Sequence, residues 1–236
     1  MSAYKIMLCL GIVAMIVVTI MRKKRYNLTT LKSVLFAITL TVVGVAGCKL
    51  LYITENVEVV KNQGLTFGGF SFYGAVFLIP ICFLLIGKLF GMRPLRAVDC
   101  CAIGVAIMIA LMRIGCFVDG CCGAIPIELF NKQVILPVQL IESIFDFIIL
   151  MVLWHFEDEN IASGRLYSIF MLAYAGMRFC IEFLRDTPKD LLYLSRGQWY
   201  SIAAIVLAIT HICIYRRVCL RKSSEKKNSN RERGVM

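Results

Sequence analysis

Apolar residues along this chain gather into seven long runs, and polar residues gather between them. The runs cover residues 3–21, 31–53, 67–89, 97–117, 137–155, 165–184 and 198–215. Each is close to the ~20 residues that a helix needs to cross the hydrocarbon of a bilayer. There every backbone N–H and C=O must be satisfied within its own segment, so helices are the expected form. The pattern predicts an all-α, polytopic membrane protein with seven transmembrane helices. Pro80 falls inside the third run, where a membrane helix tolerates it. One transmembrane domain is expected over 1–215. A polar, basic tail over 216–236 follows, expected to lack regular structure.

Composition agrees with this picture. Hydrophobic residues make up 59% of the chain, against roughly 45–50% in soluble domains. The net charge of +11 belongs to loops and tail. The basic residues flank apolar runs and do not form one face, so a nucleic-acid partner is not expected. Their distribution sets an orientation. Lys and Arg after runs 1, 3 and 5 and in the tail number 17, against 6 on the other side. The N-terminus is therefore expected outside and the C-terminus in the cytoplasm. The first run carries its charge behind it, as Arg22-Lys23-Lys24-Arg25, which marks an uncleaved helix and not a signal peptide. The acidic segment FEDEN (156–160) lands on the inner side, where acidic residues count little. No internal repeat is visible, which leaves an inverted-repeat transporter unsupported.

What the pattern does not explain is the set of ionisable residues inside the runs: Lys49, Arg113, Asp119, Glu142, Asp146, Arg178 and Glu182. Each costs roughly 2.5–3.5 kcal/mol on insertion scales, so such residues usually face a partner or a polar cavity. By the orientation above, Arg113, Asp119, Glu142 and Glu182 lie toward the outer half. Tyr174, Arg178, Glu182 and Arg185 recur at i, i+4, i+8 and i+11, one helical stripe. Gln139, Glu142 and Asp146 form another at i, i+3, i+7. Structural ion pairs between helices would account for any one of these residues. The whole set is more than packing requires, and it suggests an outward-opening polar pocket. Arginine suits a phosphate there, because its planar fork makes paired, charge-assisted hydrogen bonds and stays protonated. Arg113 and Arg178 could clamp one lipid phosphate, with Glu182 holding Arg178 in place. The glycines of GLTFGGFSFYGA (64–75) fit either a pocket or close helix packing.

Eleven cysteines are present. Cys9, Cys48, Cys82, Cys180 and Cys213 sit singly in apolar runs and read as small hydrophobes. Cys116, Cys121 and Cys122 cluster near the outer surface. Zinc usually takes four ligands, often with histidine, and His155 and His211 belong near the opposite ends of their helices. No metal and no cofactor are expected. A disulfide in an oxidising exterior stays open, beside unspecialised small residues.

Five stretches, at residues 71–75, 113–123, 136–142, 174–185 and 197–198, together resemble the prolipoprotein diacylglyceryl transferase family. SFYGA supplies Tyr73-Gly74, where the family has His or Tyr before glycine. RIGCFVDGCCG resembles the signature R-I-G-N-F-x-N-G-E-x-x-G and keeps Arg113, Gly115, Phe117 and Gly120. Cys116 and Asp119 stand for its two Asn, Cys121 for its Glu, and Gly123 for its last glycine after a one-residue deletion. LPVQLIE keeps Pro137, Gln139, Leu140 and Glu142 of H-P-x-Q-L-Y-E. YAGMRFCIEFLR keeps Tyr174, Arg178, Phe179, Glu182, Phe183 and Arg185, and Gly197-Gln198 matches the G-Q before the last helix.

The resemblance implies a multi-pass enzyme of the bacterial cell membrane, working within the lipid bilayer. It would move diacylglyceryl from phosphatidylglycerol to the lipobox cysteine of preprolipoprotein signal peptides and release glycerol phosphate. Arg113 and Arg178 would stabilise the leaving phosphate. Tyr73, if a neighbouring arginine favours its phenolate, could accept the thiol proton. Gly74, Asp119, Gly120, Gln139, Glu142, Tyr174, Glu182 and Arg185 would bind substrate or orient the arginines. The altered signature loop leaves an alternative: a lipid-binding or redox-active protein of the same fold without transferase activity.

Overall fold

A computed structural model describes residues 3–64, 69–121, 126–129, 132–160, 164–185 and 187–233. The helices are α1 (Ala3–Met21), α2 (Lys23–Tyr26), α3 (Thr30–Glu55), α4 (Val57–Gln63), α5 (Phe72–Ile86), α6 (Pro94–Val118), α7 (Val138–Asn160), α8 (Arg165–Ile181) and α9 (Arg196–Arg233). A hairpin, β1 (Pro126–Leu129) with β2 (Lys132–Ile135), separates α6 from α7. A smaller one, β3 (Lys189–Leu191) with β4 (Leu194–Ser195), separates α8 from α9. Seven helices are long and apolar enough to cross a membrane: Ala3–Met21, Thr30–Glu55, Phe72–Phe90, Pro94–Val118, Val138–Glu157, Arg165–Leu184 and Arg196–Arg217. They follow the seven apolar runs to within a few residues, and the chain is a multi-pass, all-α membrane protein.

Two boundaries differ from the hydrophobic pattern. The third helix begins at Phe72 and not near 67. Gly69 takes a left-handed φ of 73°, and the Ser71 N–H donates to the Cys48 carbonyl on α3 at 3.1 Å, not within its own segment. At the other end, α9 runs on to Arg233 in place of the irregular tail expected from composition. The tail's Lys, Glu and Arg are good helix formers, and extending an existing helix avoids the cost of nucleation.

Local chemistry fixes the helix ends. Thr29 caps α3 by accepting from the Lys32 N–H at 3.3 Å. Pro94 opens α6, where its missing N–H costs nothing. Gly120 closes α6 at φ 66°. The Cys121 N–H reaches back to the Cys116 carbonyl and the Gly120 N–H to Phe117, both at 3.1 Å. That pairing is a Schellman turn, which requires a left-handed residue. In α5, Pro80 has no N–H for the Val76 carbonyl four residues back. The Tyr167 hydroxyl on α8 donates to that carbonyl at 2.9 Å.

The buried centre is α6, which packs against α1, α5, α7 and α8. Small residues set the crossings. A Cβ on Gly115 would lie 2.9 Å from Met7 Cβ and Tyr4 Cα on α1. A Cβ on Gly74 would lie 1.9 Å from the Gly47 carbonyl oxygen, and one on Gly47 2.5 Å from that of Gly74. The backbones of α3 and α5 therefore touch there, as close membrane packing requires.

Two aspartates, Asp99 in α6 and Asp119 just past its end, tie other helices to it. Asp119 accepts from the Ala3 and Tyr4 N–H groups at 2.8 and 3.1 Å, capping α1 from outside its own chain segment. At the opposite end, buried Asp99 accepts from Gly164 at 2.8 Å, Leu166 at 3.0 Å and Tyr167 at 3.3 Å, capping α8. On this side too, Arg22 donates from Nε to Glu157 Oε1 at 2.6 Å. Arg25 pairs with Glu157 Oε2 at 3.2 Å. Burial pushes the Tyr26 phenol well above its ordinary range, so it stays a donor and gives its hydrogen to Glu157 at 3.0 Å. Thus part of the basic run read as a simple stop signal is a buried ion cluster. One residue of FEDEN is its anion.

Gly74→Val should lower the melting temperature in detergent by an amount equivalent to about 2 kcal/mol or more, since overpacked backbone cannot yield. Gly176→Ala is the control: nothing lies within 4 Å of its Cβ position, and its melting temperature should stay or rise slightly. Glu157→Ala should cost about 3–5 kcal/mol by stranding Arg22. Pairing Glu157→Leu with Arg22→Met should recover most of that loss.

Candidate functional site

At the end of the bundle where α6 meets the first turn of α1, a cavity of about 1020 Å³ opens. Its polar wall carries Tyr73, Arg113, Tyr174, Arg178 and Arg185. Its apolar wall includes Met15, Leu40, Ile79 and Val105. This size and mixture suit a ligand with a charged head and hydrocarbon chains.

The three arginines come from α6, α8 and the chain just after α8, and one carboxylate gathers them. Glu142 on α7 has no exposed surface. Its Oε2 lies 2.9 Å from Arg113 Nε. Its Oε1 takes Arg178 Nη1 and also Arg185 Nη1, the latter at 3.2 Å. Glu182 supplies the second anion. Its Oε2 accepts from Arg178 Nη2 at 2.8 Å and lies 3.9 Å from Arg185 Nε. The sequence stripe thus continues past the end of α8: Glu182–Leu184 tightens into a 3-10 turn, and Arg185 is extended. That change of twist turns Arg185 back toward Glu142.

Glu182 is itself held from the end of β4 and the start of α9. Its Oε1 accepts from Ser195 Oγ at 3.1 Å. The Ser195 N–H donates to Gln198 Oε1 at 2.9 Å. A Cβ on Gly197 would sit 2.9 Å from Glu182 Oε1, so glycine lets the carboxylate reach the start of that helix. The arginines line the cavity, while Glu142 and Glu182 lie behind them. Three guanidiniums meet two carboxylates in these pairs, leaving one positive charge over. Preorganised donors of this kind, in a water-poor site, bind an anion well.

Other residues singled out in the sequence take different places. Asp146 is buried one turn deeper on α7, and its carboxylate oxygens make no hydrogen bond among the described residues. Gln139 donates to the Cys121 carbonyl at 2.6 Å and so holds the chain after α6. Gly74 serves the α3–α5 crossing and Gly120 the closing turn of α6. Asp119 lines the cavity, yet both its oxygens accept from the α1 backbone.

Tyr73 is buried, with its hydroxyl 2.5 Å from Ser201 Oγ. Ser201 gives its own hydrogen to the Gly197 carbonyl at 2.9 Å, so Tyr73 is the donor of that pair. Its ring lies 5.9 Å from that of Tyr174 and 5.7 Å from that of Tyr200. Cys116 and Cys121 both line the cavity, and Cys121 Sγ donates to the Cys116 carbonyl at 3.5 Å. Cys122 and Gly123 lie outside the described residues. His211 meets Ser168 at 2.8 Å, and His155 packs on Phe156.

Sequence reasoning passed over Tyr4, Glu55, Asp99, Ser195, Tyr200 and Ser201. Asp99 carried a signal, an aspartate inside an apolar run. The serines and tyrosines carried none, because such residues are ordinary at helix ends and membrane interfaces.

The chain has relatives of known name. The family profile described as prolipoprotein diacylglyceryl transferase matches residues 1–214. A phosphatidylglycerol–prolipoprotein diacylglyceryl transferase of Clostridium tetani is 30% identical over 226 residues, covering 87% of this chain and 90% of the relative. The protein of Clostridium perfringens called phosphatidylglycerol–prolipoprotein diacylglyceryl transferase 2 is 31% identical over 225 residues, covering 86% and 87%. One from Finegoldia magna is 27% identical, covering 94% of each chain. With a match over almost the whole membrane-spanning region, this chain belongs to the prolipoprotein diacylglyceryl transferase family.

Proposed function

We propose that the protein is a phosphatidylglycerol–prolipoprotein diacylglyceryl transferase of the bacterial cell membrane. It moves diacylglyceryl from phosphatidylglycerol to the lipobox cysteine of preprolipoprotein signal peptides, with glycerol phosphate released. The observation that carries this reading is the convergence of Arg113, Arg178 and Arg185 on one cavity, fixed by two carboxylates behind them. The names of its relatives, which include phosphatidylglycerol and prolipoprotein, support this donor and acceptor.

In this reading the lipid phosphate sits against Arg113 and Arg178, and the acyl chains run along the apolar wall. The acceptor thiol attacks the glycerol carbon that carries the phosphate. The C–O bond breaks, and the leaving phosphate gains charge. Guanidiniums aimed there before the reaction starts lower the barrier without reorganisation. Glu142 and Glu182 do not touch the lipid; they hold the arginines. Tyr73 and Tyr174 shape the wall beside the reacting carbon, and Arg185 reinforces the positive field.

The orientation follows from the excess of Lys and Arg on one side. The N-terminus and the cavity face outward, and the C-terminus lies in the cytoplasm. The Arg22–Glu157 cluster then belongs to the cytoplasmic end, which accounts for an acidic segment on the positive side.

The test is glycerol phosphate release in detergent from phosphatidylglycerol and a lipobox peptide. Release should need the cysteine peptide and vanish when serine replaces that cysteine. Arg178→Ala should lower the rate about 100-fold or more, the usual effect of losing one transition-state contact. Cys121→Ser should stay within a few-fold of the unchanged protein. Loss of activity in Cys121→Ser, with Arg178→Ala tolerated, would instead favour a redox protein that keeps the lipid cavity.

A further inference from the structure

Joining a thiol to a lipid carbon frees a proton, and the groups assigned so far have no place for it. Glu142 and Glu182 are bound to arginines. Asp119 has both oxygens on the α1 backbone. Tyr73 donates its hydrogen to Ser201, whose own hydrogen goes to Gly197. Among the described residues that line the cavity there is no histidine, and Glu55 is the carboxylate other than Asp119.

We propose that Glu55 is the catalytic base that takes the proton of the acceptor thiol; this rests on the transferase reading above. Glu55 ends α3 at the cavity wall. Its carboxylate accepts from Ser71 Oγ at 3.2 Å and lies beside the Tyr200 hydroxyl. These two hydroxyls orient a carboxylate that has about four acceptor positions, and so leave room for a third partner. Arg196 Nη1 donates to the Glu55 backbone carbonyl at 2.8 Å, which pins the end of α3 to the start of α9. Tyr200 joins this group to the reacting centre. Its ring is 5.7 Å from that of Tyr73, and Gly197, one turn earlier on α9, packs on Glu182.

The step balances. Glu55 removes the thiol proton as sulfur bonds to the glycerol carbon. The carbon–oxygen bond to phosphate breaks, and its electron pair leaves with glycerol phosphate. That dianion rests against Arg113 and Arg178. Glu55, now protonated, returns its proton to water. Charge thus moves from the thiol to the phosphate, between an acidic group and the basic cluster.

Glu55→Gln keeps both hydroxyl neighbours, so its melting temperature should match the unchanged protein. At neutral pH its turnover with the cysteine peptide should fall about 100-fold or more, the usual contribution of a general base. The KM for phosphatidylglycerol should stay within about threefold. Its rate should then climb nearly tenfold per pH unit toward the ordinary thiol pKa of about 8.5, as solution supplies the thiolate. Glu55→Asp should fall between.

A Gln variant as fast as the unchanged protein at neutral pH overturns the base. So does a raised KM for the lipid with unchanged kcat, which would make Glu55 a headgroup ligand. So does a slow Gln variant with no alkaline recovery, which would mean a structural role. An unchanged protein that releases no glycerol phosphate overturns the transferase reading, and this base with it.

Discussion

The site depends on a single buried carboxylate shared by three arginines. Like charges brought together away from water repel strongly, and each charge alone is costly to bury. Glu142 removes both penalties at once, because it meets Arg113, Arg178 and Arg185 from α7 while they arrive from other segments. Without it, α6, α7 and α8 would push apart where they must meet. Glu182 repeats the arrangement on the side facing α9, steadied by Ser195 and by the bare backbone of Gly197. The cationic wall is thus a consequence of packing, and packing is a consequence of the carboxylates behind it.

The opposite end uses the same chemistry to a different end. Arg22, Arg25 and Tyr26 close on Glu157, which has no exposed surface. There the ion cluster locks α2 and the α1–α2 junction to α7. At the cavity end the arginines face open space and the two carboxylates that hold them are hidden. Burying the anion and leaving cations at the wall turns a structural ion network into a place where a phosphate can sit. Asp99 and Asp119 serve both ends in a related way, each capping a neighbouring helix and so fixing which helices stand beside the central one.

Much of this is legible in the sequence, for a physical reason. A bilayer admits few backbone solutions, so seven apolar runs of helix-spanning length fix seven helices closely. The same medium makes buried charge expensive, so Arg113, Glu142, Arg178 and Glu182 stand out within their apolar runs. Their pairing does not follow from spacing, because Glu142 meets partners 29, 36 and 43 residues away in the chain. Nor does the part played by Asp119, Gly74 and Gly120. Expected as substrate contacts, they also cap a neighbouring helix, permit a backbone crossing and make a left-handed turn. Motif matching marks that a residue matters and not how. Glu55 escapes notice for the converse reason: a glutamate at the end of a helix looks like any solvated end, and only the fold of 69–71 and the arrival of α9 put it on the cavity wall.

The central claim is that the lipid phosphate rests directly on the arginines held by Glu142. Solid-state NMR on protein labelled with nitrogen-15 at arginine, reconstituted with phosphatidylglycerol, measures this without requiring turnover. A phosphate seated there should show a phosphorus–nitrogen dipolar coupling of direct contact to guanidinium signals that disappear in Arg113→Lys and Arg178→Lys. A bound, turnover-competent lipid whose phosphorus shows no such coupling to either arginine would contradict it.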